Sequence, residues 1–190
     1  AAELPDAARR AQLTRYVEVE RALEDVRRTP GSAGPAELAL VDEALQLQPD
    51  RGDLLLLRAQ ALERAGDADG ALRAYRRLAE LPAAPAEAWA GQVRVLSALG
   101  RTREAAAALA AARRADPDAA GDAEVVLLLA EAEAAKRGRR YGEALDAARR
   151  ALVLEPDNVD ARLALAGVYA AAGQHGDAIA AYETVLDARP

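Results

Sequence analysis

The sequence predicts an all-α fold, a solenoid of about ten helices stacked as antiparallel pairs, and three observations carry that prediction. Alanines recur at Ala71, Ala105, Ala144 and Ala178, separated by 34, 39 and 34 residues. A fixed period of this size marks a repeat array, in which each unit buries its apolar face against its neighbours. Each alanine follows a glycine by five or six residues (Gly66, Gly100, Gly138, Gly173), and Pro49, Pro117, Pro156 and Pro190 close the units. Composition is the third observation. The chain is 52% hydrophobic, yet only 3% aromatic, with no Phe, Met or Cys. Its core must come from Ala, Leu and Val at close approach, which suits helix on helix. Alanine, leucine, arginine and glutamate are also strong helix formers, and no alternating apolar and polar run suggests a strand.

Taken in order, residues 6–29 read as one amphipathic helix with Leu13, Val17, Leu23 and Val26 on its apolar stripe. A breaker-rich loop follows, with Pro30, Gly31, Gly34 and Pro35. Residues 36–48 form the second helix, with Leu38, Val41 and Leu45 inward and Pro49 at its end. Residues 1–51 lack the small-residue matches of the later units and read as an atypical capping pair or degenerate repeat. Four regular units follow at 52–85, 86–122, 123–158 and 159–190. In the last, Asn158 is placed as an N-cap and Asp160 as a first-turn carboxylate. Leu163, Leu165 and Tyr169 mark its first helix, and Gly173 is the left-handed stop. Asp177 precedes the second helix, whose inward set is Ala178, Tyr182, Val185 and Leu186. The 39-residue interval divides into about three extra residues at 118–122 and about two at 136–140, both read as loop insertions.

Close approach within a unit requires a small residue opposite each alanine. The pairs are Ala59 with Ala71, Val93 with Ala105, Ala130 with Ala144, and Ala166 with Ala178. A later position, holding Ala44, Leu78, Ala112, Ala151 and Val185, faces the next unit.

These residues carry a resemblance to the tetratricopeptide repeat family: Leu165, Ala166, Tyr169, Ala178, Tyr182 and Pro190 in the last unit, and Trp89, Ala105 and Pro117 in the second. Departures are Val93 at a small-residue position, Glu133 where a large apolar residue is usual, and Pro82 one residue early. The resemblance implies a right-handed superhelix whose first helices line a concave groove for a peptide or helix of a partner protein. It also implies the groove residues: Asp53, Leu56, Gln60, Glu63, Glu87, Ala90, Arg94, Glu124, Leu127, Glu131, Asp160, Leu163 and Gly167. The set lacks the lysine, asparagine and arginine combination with which some members clamp a C-terminal carboxylate. Asp53, Glu87, Glu124 and Asp160 read first as first-turn carboxylates that complement helix dipoles, and they would also suit a basic partner. The cluster Lys136, Arg137, Arg139 and Arg140 reads as a solvated turn tip or as a grip for an acidic partner.

No catalytic residue, cofactor site or metal site is predicted. His175 is the only histidine, and Ser32 and Ser97 lie in distant units. Asp67 and Asp69 match the spacing of a calcium loop only superficially, since Gly70 comes too soon and no closing glutamate follows. The net charge of −6 argues against nucleic acid as a partner. No run approaches the ~18 apolar residues of a membrane span, so direct membrane insertion is not expected. Arg dominates the basic residues, Lys136 being the lone lysine, as in a GC-rich bacterial coding sequence. Cytoplasm and periplasm both stay open. The chain has no Met and reads as an excised or processed piece. The function expected is a non-catalytic protein–protein interaction scaffold. The alternative is a structural spacer or self-association segment, pairing with further repeats or another subunit through its C-terminal helix.

Overall fold

Helix-forming residues fill the intervals between the glycines and prolines, and in the computed structural model the chain is helical there. Residues 10, 11, 13–19, 21, 24, 35–82, 84–117 and 120–187 are described. Among them are ten helical segments and no strand: α1 (helical at 10, 11, 13–19, 21 and 24), α2 (Pro35–Leu47), α3 (Gly52–Arg64), α4 (Ala68–Ala79), α5 (Ala86–Ala98), α6 (Thr102–Ala115), α7 (Ala120–Arg137), α8 (Tyr141–Leu154), α9 (Val159–Ala171) and α10 (His175–Asp187). Two compact units divide the chain, residues 1–88 and 89–190.

Four of the helix ends are the same structure. The N–H of Asp67, Arg101, Arg140 and Gln174 reaches back to the C=O of Leu62, Leu96, Ala135 and Tyr169, at 3.0, 2.9, 2.9 and 2.9 Å. This six-to-one bond needs one left-handed residue just before the donor. That residue is Gly66 (φ 80°), Gly100 (φ 71°), Arg139 (φ 58°) and Gly173 (φ 77°). In the third unit the stop is therefore Arg139, not Gly138. Each repeat alanine then follows its stop by the same five residues, so the turn at 136–140 holds no insertion. The extra residues lie in the helix: α7 has 18 residues, whereas α3, α5 and α9 have 13 each. Residues 120–122, expected as loop, form its first turn.

The shifted stop moves the helix-pair contact. Seven residues before each stop lie Ala59, Val93, Ala132 and Ala166, and each is at most 1% exposed. Ala130, the expected partner of Ala144, is only half-buried. Ala132, Ala147 and Ala148 form one small core, backed by Ala164 and Leu165 of α9. Ala135, Ala144 and Val168 form the next. In the first unit, Leu55, Leu78 and Ala88 pack together, as do Val19, Val41, Ala44 and Leu54. Among the described residues of α1, Val19 is the buried one. Leu13 and Val17, expected inward, are 58% and 64% exposed, and Leu23 and Val26 lie outside the described residues. Leu186, expected inward on α10, is 69% exposed.

Local capping follows the sequence at two helices. Asn158 accepts from the Ala161 N–H at 2.9 Å, and Asp67 from the Gly70 N–H at 2.8 Å. These bonds satisfy donors that a helix start leaves orphaned. In α2, Glu37 takes the place of the repeat alanine, 34 residues before Ala71. Its carboxylate is buried, and Arg64 Nη2 donates to both oxygens at 3.1 Å.

Candidate functional site

The expected groove residues fall into both compact units. In residues 1–88, Asp53 is exposed in the first turn of α3, and its carboxylate accepts two bonds from Arg51 at 2.8 and 3.0 Å. Leu56 packs partly into the core of Leu55, Leu78 and Ala88. Gln60 is half-buried. Glu63 accepts from the Tyr75 hydroxyl at 2.8 Å, and Tyr75 is fully buried. Glu87 is exposed at the start of α5. Most of this set therefore serves its own unit.

In residues 89–190 the expected set divides. Ala90 is 7% exposed and offers almost no surface. Arg94 on α5, Leu127 and Glu131 on α7, and Asp160 on α9 line one open cleft of about 920 Å³. Glu124 instead pairs with Arg113 of α6 at 2.6 Å. Leu163 is 37% exposed on α9. Gly167 lies one turn further, where a Cβ would sit 3.8 Å from Lys136 Nζ and 3.9 Å from Tyr182 OH.

The left-handed stop supplies the correct register for α7. Asp160, Leu163 and Gly167 lie thirteen, ten and six residues before Gly173. The same offsets from Arg139 give Val126, Leu129 and Glu133. Glu124, Leu127 and Glu131 are each two residues out of that register. The signal that could have found this register was the separation of each alanine from its turn, five residues in three units and six only if Gly138 is counted. Val126, Leu129 and Glu133 also line the cleft. Lys136, expected at a turn tip, lies three residues before the stop and pairs with Glu133 at 2.5 Å.

Leu127, Glu131 and Ala134 occupy the positions that hold Ala161, Leu165 and Val168 in α9. On α9, Ala161 packs with Ala151 of α8 and with Val125 and Leu128, and Leu165 and Val168 enter the cores described above. On α7 the first is half-buried and the other two are exposed. Thr102 and Ala106 of α6 line the same cleft. The cleft thus carries Arg94, Val126, Leu129, Glu133 and Asp160, and it also reaches the seam between α6 and α7.

The basic cluster does not form a patch. Lys136 and Arg137 both face Glu133, and Arg140 bonds Glu143 at 2.6 Å. Ser97 Oγ, on α5 beside the cleft, is buried without a hydrogen-bond partner. No described helix is long and apolar enough to cross a membrane. Among the described residues no cluster of His, Asp or Glu suits a metal ion.

Two family models match the chain, both described as tetratricopeptide repeat, at residues 53–82 and 129–190. No protein of curated function matches the sequence. Solved structures do match. A thermophilic tetratricopeptide repeat protein of Thermus thermophilus is 20% identical with a TM-score of 0.64, over 94% of this chain and 92% of that one. MamA from Desulfovibrio magneticus RS-1 is 20% identical with a TM-score of 0.61, over 92% and 94%. PilW, a type IV pilus biogenesis factor, is 21% identical with a TM-score of 0.57, over 97% and 79%. At these identities the likeness establishes a shared fold.

Proposed function

Because this chain belongs to the tetratricopeptide repeat family, we propose that it is a non-catalytic scaffold that binds a segment of a partner protein on the α5–α7–α9 surface of residues 89–190. The observation that supports this reading is the set of positions left over from packing. Val126 and Leu129 of α7 and Leu163 of α9 keep apolar surface where neighbouring positions are buried. Arg94, Glu133 and Asp160 rim that surface. Apolar anchors surrounded by polar groups suit a peptide whose side chains insert while its backbone stays near charged groups. Occupied carboxylates and buried side chains leave the expected residues of the first unit, Asp53, Leu56 and Glu63, less suited to this role. Fold-level likeness supports protein partners as a class and identifies no individual one.

Selection from a displayed random peptide library tests the reading. Wild-type protein should enrich a consensus with aliphatic or aromatic anchors. Leu129→Glu/Leu163→Glu should lose those clones, and Leu127→Glu, on the seam side, should keep most of them. Failure to enrich any sequence, or equal enrichment by the groove variant, overturns the assignment.

A further inference from the structure

A second surface stands apart from the groove, on the last helix. Positions six, nine and thirteen residues after a left-handed stop share one stripe of the second helix, and in α4, α8 and α10 that stripe is apolar. In α4 the stripe is Leu72, Tyr75 and Ala79, with Leu72 3% and Tyr75 0% exposed. In α8 it is Leu145, Ala148 and Leu152. Those residues are packed into the cores that α9 completes with Ala161, Ala164, Leu165 and Val168. In α10 the stripe is Ile179, Tyr182 and Leu186, at 60%, 41% and 69% exposed. Ile179 and Leu186 match Leu145 and Leu152 in size, Tyr182 is larger than Ala148, and no described helix covers the three. Glu183 lies on the same face, one helical turn from Ile179 and from Leu186.

The face with matching chemistry is on α1. Residues 10, 13, 17 and 21 fall on one stripe by their spacing of three, four and four. They are Arg10, Leu13, Val17 and Arg21, all exposed, with the two apolar residues between the two arginines. Neither arginine has an ion-pair partner among the described residues, and neither has Glu183. One face is apolar with a carboxylate, and the other is apolar with two guanidiniums, Glu24 following one turn beyond Arg21.

We propose that α1 of a second copy of this chain docks on the Ile179–Tyr182–Leu186 stripe of α10, continuing between molecules the packing that α9 makes on α8. The contact is heterologous, since the two surfaces differ. It leaves a free α10 at one end of the pair and a free α1 at the other, so association proceeds to chains or closed rings. Aliphatic side chains supply the contact area, and Glu183 facing Arg10 or Arg21 fixes the direction of docking.

Sedimentation velocity on the 190-residue protein, from micromolar to hundreds of micromolar, tests this. The wild-type weight-average mass should rise with concentration beyond that of two chains. Leu13→Glu/Val17→Glu and Ile179→Glu/Leu186→Glu should each be monomeric alone. Mixed in equal amounts they should form a dimer and stop there, because each keeps one intact complementary face. Circular dichroism confirms folding of both, and a charge reversal gives an independent readout. Glu183→Arg should weaken association several-fold, and Arg10→Glu/Arg21→Glu in the other copy should restore it. A wild type that stays monomeric overturns the proposal. So does a mixture that fails to pair, or association abolished by the α10 variant but untouched by the α1 variant, which would mean α10 pairing with α10. Peptide selection on the groove is unaffected by either variant, so the two proposals fail separately.

Discussion

The junctions α6–α7 and α8–α9 join successive repeats by the same register positions, and they pack differently. At α8–α9, Ala161, Leu165 and Val168 enter cores shared with α7 and α8, and Val168 is 1% exposed. At α6–α7 the corresponding residues are Leu127, Glu131 and Ala134, and the last two are exposed beside a cleft of about 920 Å³. The difference lies in side chains, since both units share the same turn and the same buried alanine contact. A glutamate replaces a leucine and an alanine replaces a valine, and the seam stays open. Stability in a repeat array is a sum of unit and interface terms, so a repeat can be intact while its junction is weak.

The largest effect should come from placing a charge in each junction. Val168→Asp would bury a carboxylate without a partner and should cost about 3–5 kcal/mol. Ala134→Asp, at the same position on α7, should cost no more than roughly 0.5 kcal/mol beyond helix propensity. Urea unfolding of both variants measures the contrast. Comparable losses would mean that the α6–α7 junction is closed in solution.

Filling the seam should act in the opposite direction. Glu131→Leu/Ala134→Val restores the residues of α9 to α7, and should stabilise by about 1–2 kcal/mol if both side chains become covered, which is part of the full transfer value. A variant no more stable than wild type, or one that aggregates, would show that α6 and α7 do not close on the added side chains.

Next in size is the turn that joins α7 to α8, where one residue separates the third unit from the others. Arg139 holds φ 58° where its counterparts are glycine. A left-handed non-glycine residue costs about 1–2 kcal/mol, partly offset because arginine loses less backbone freedom on folding than glycine does. Arg139→Gly should therefore stabilise by about 0.5–1 kcal/mol. Gly173→Ala should destabilise by about 1 kcal/mol, through φ alone, because nothing lies within 4 Å of the added Cβ. Thermal melts that rank the two substitutions the other way would contradict the shared turn geometry.

That residue also explains how far the sequence could be read. Period, helix class and the four alanines were legible because sterics at a helix crossing leave few alternatives to a small residue. The cap at Asn158 was legible because capping is local. Register within α7 was not. Gly138 is adjacent to the true stop and satisfies the usual rule, so it displaced the reading of Leu127, Glu131 and their neighbours by two residues. The extra helical turn at 120–122 was hidden by Pro117, Asp118 and Gly121, which read as loop although the helix accommodates Gly121 in its first turn. The exposure of Leu13 and Val17 was hidden for another reason. An apolar stripe identifies a face for burial without saying which molecule buries it.

The smallest effect concerns an ion pair across the seam. Arg113 Nη2 lies 2.6 Å from Glu124 Oε2, with side chains 55% and 23% exposed. Such a pair pays for ordering two long side chains and is screened by salt, leaving about 0–1 kcal/mol. Glu124→Gln should cost roughly 0.3–0.5 kcal/mol at low ionic strength. In ~1 M salt, where screening acts within about 3 Å, the difference should vanish. A loss that persists in salt, or exceeds that from Val168→Asp, would place the strength of the α6–α7 junction in this pair. A small, salt-sensitive loss leaves the contrast between the junctions where the apolar side chains put it.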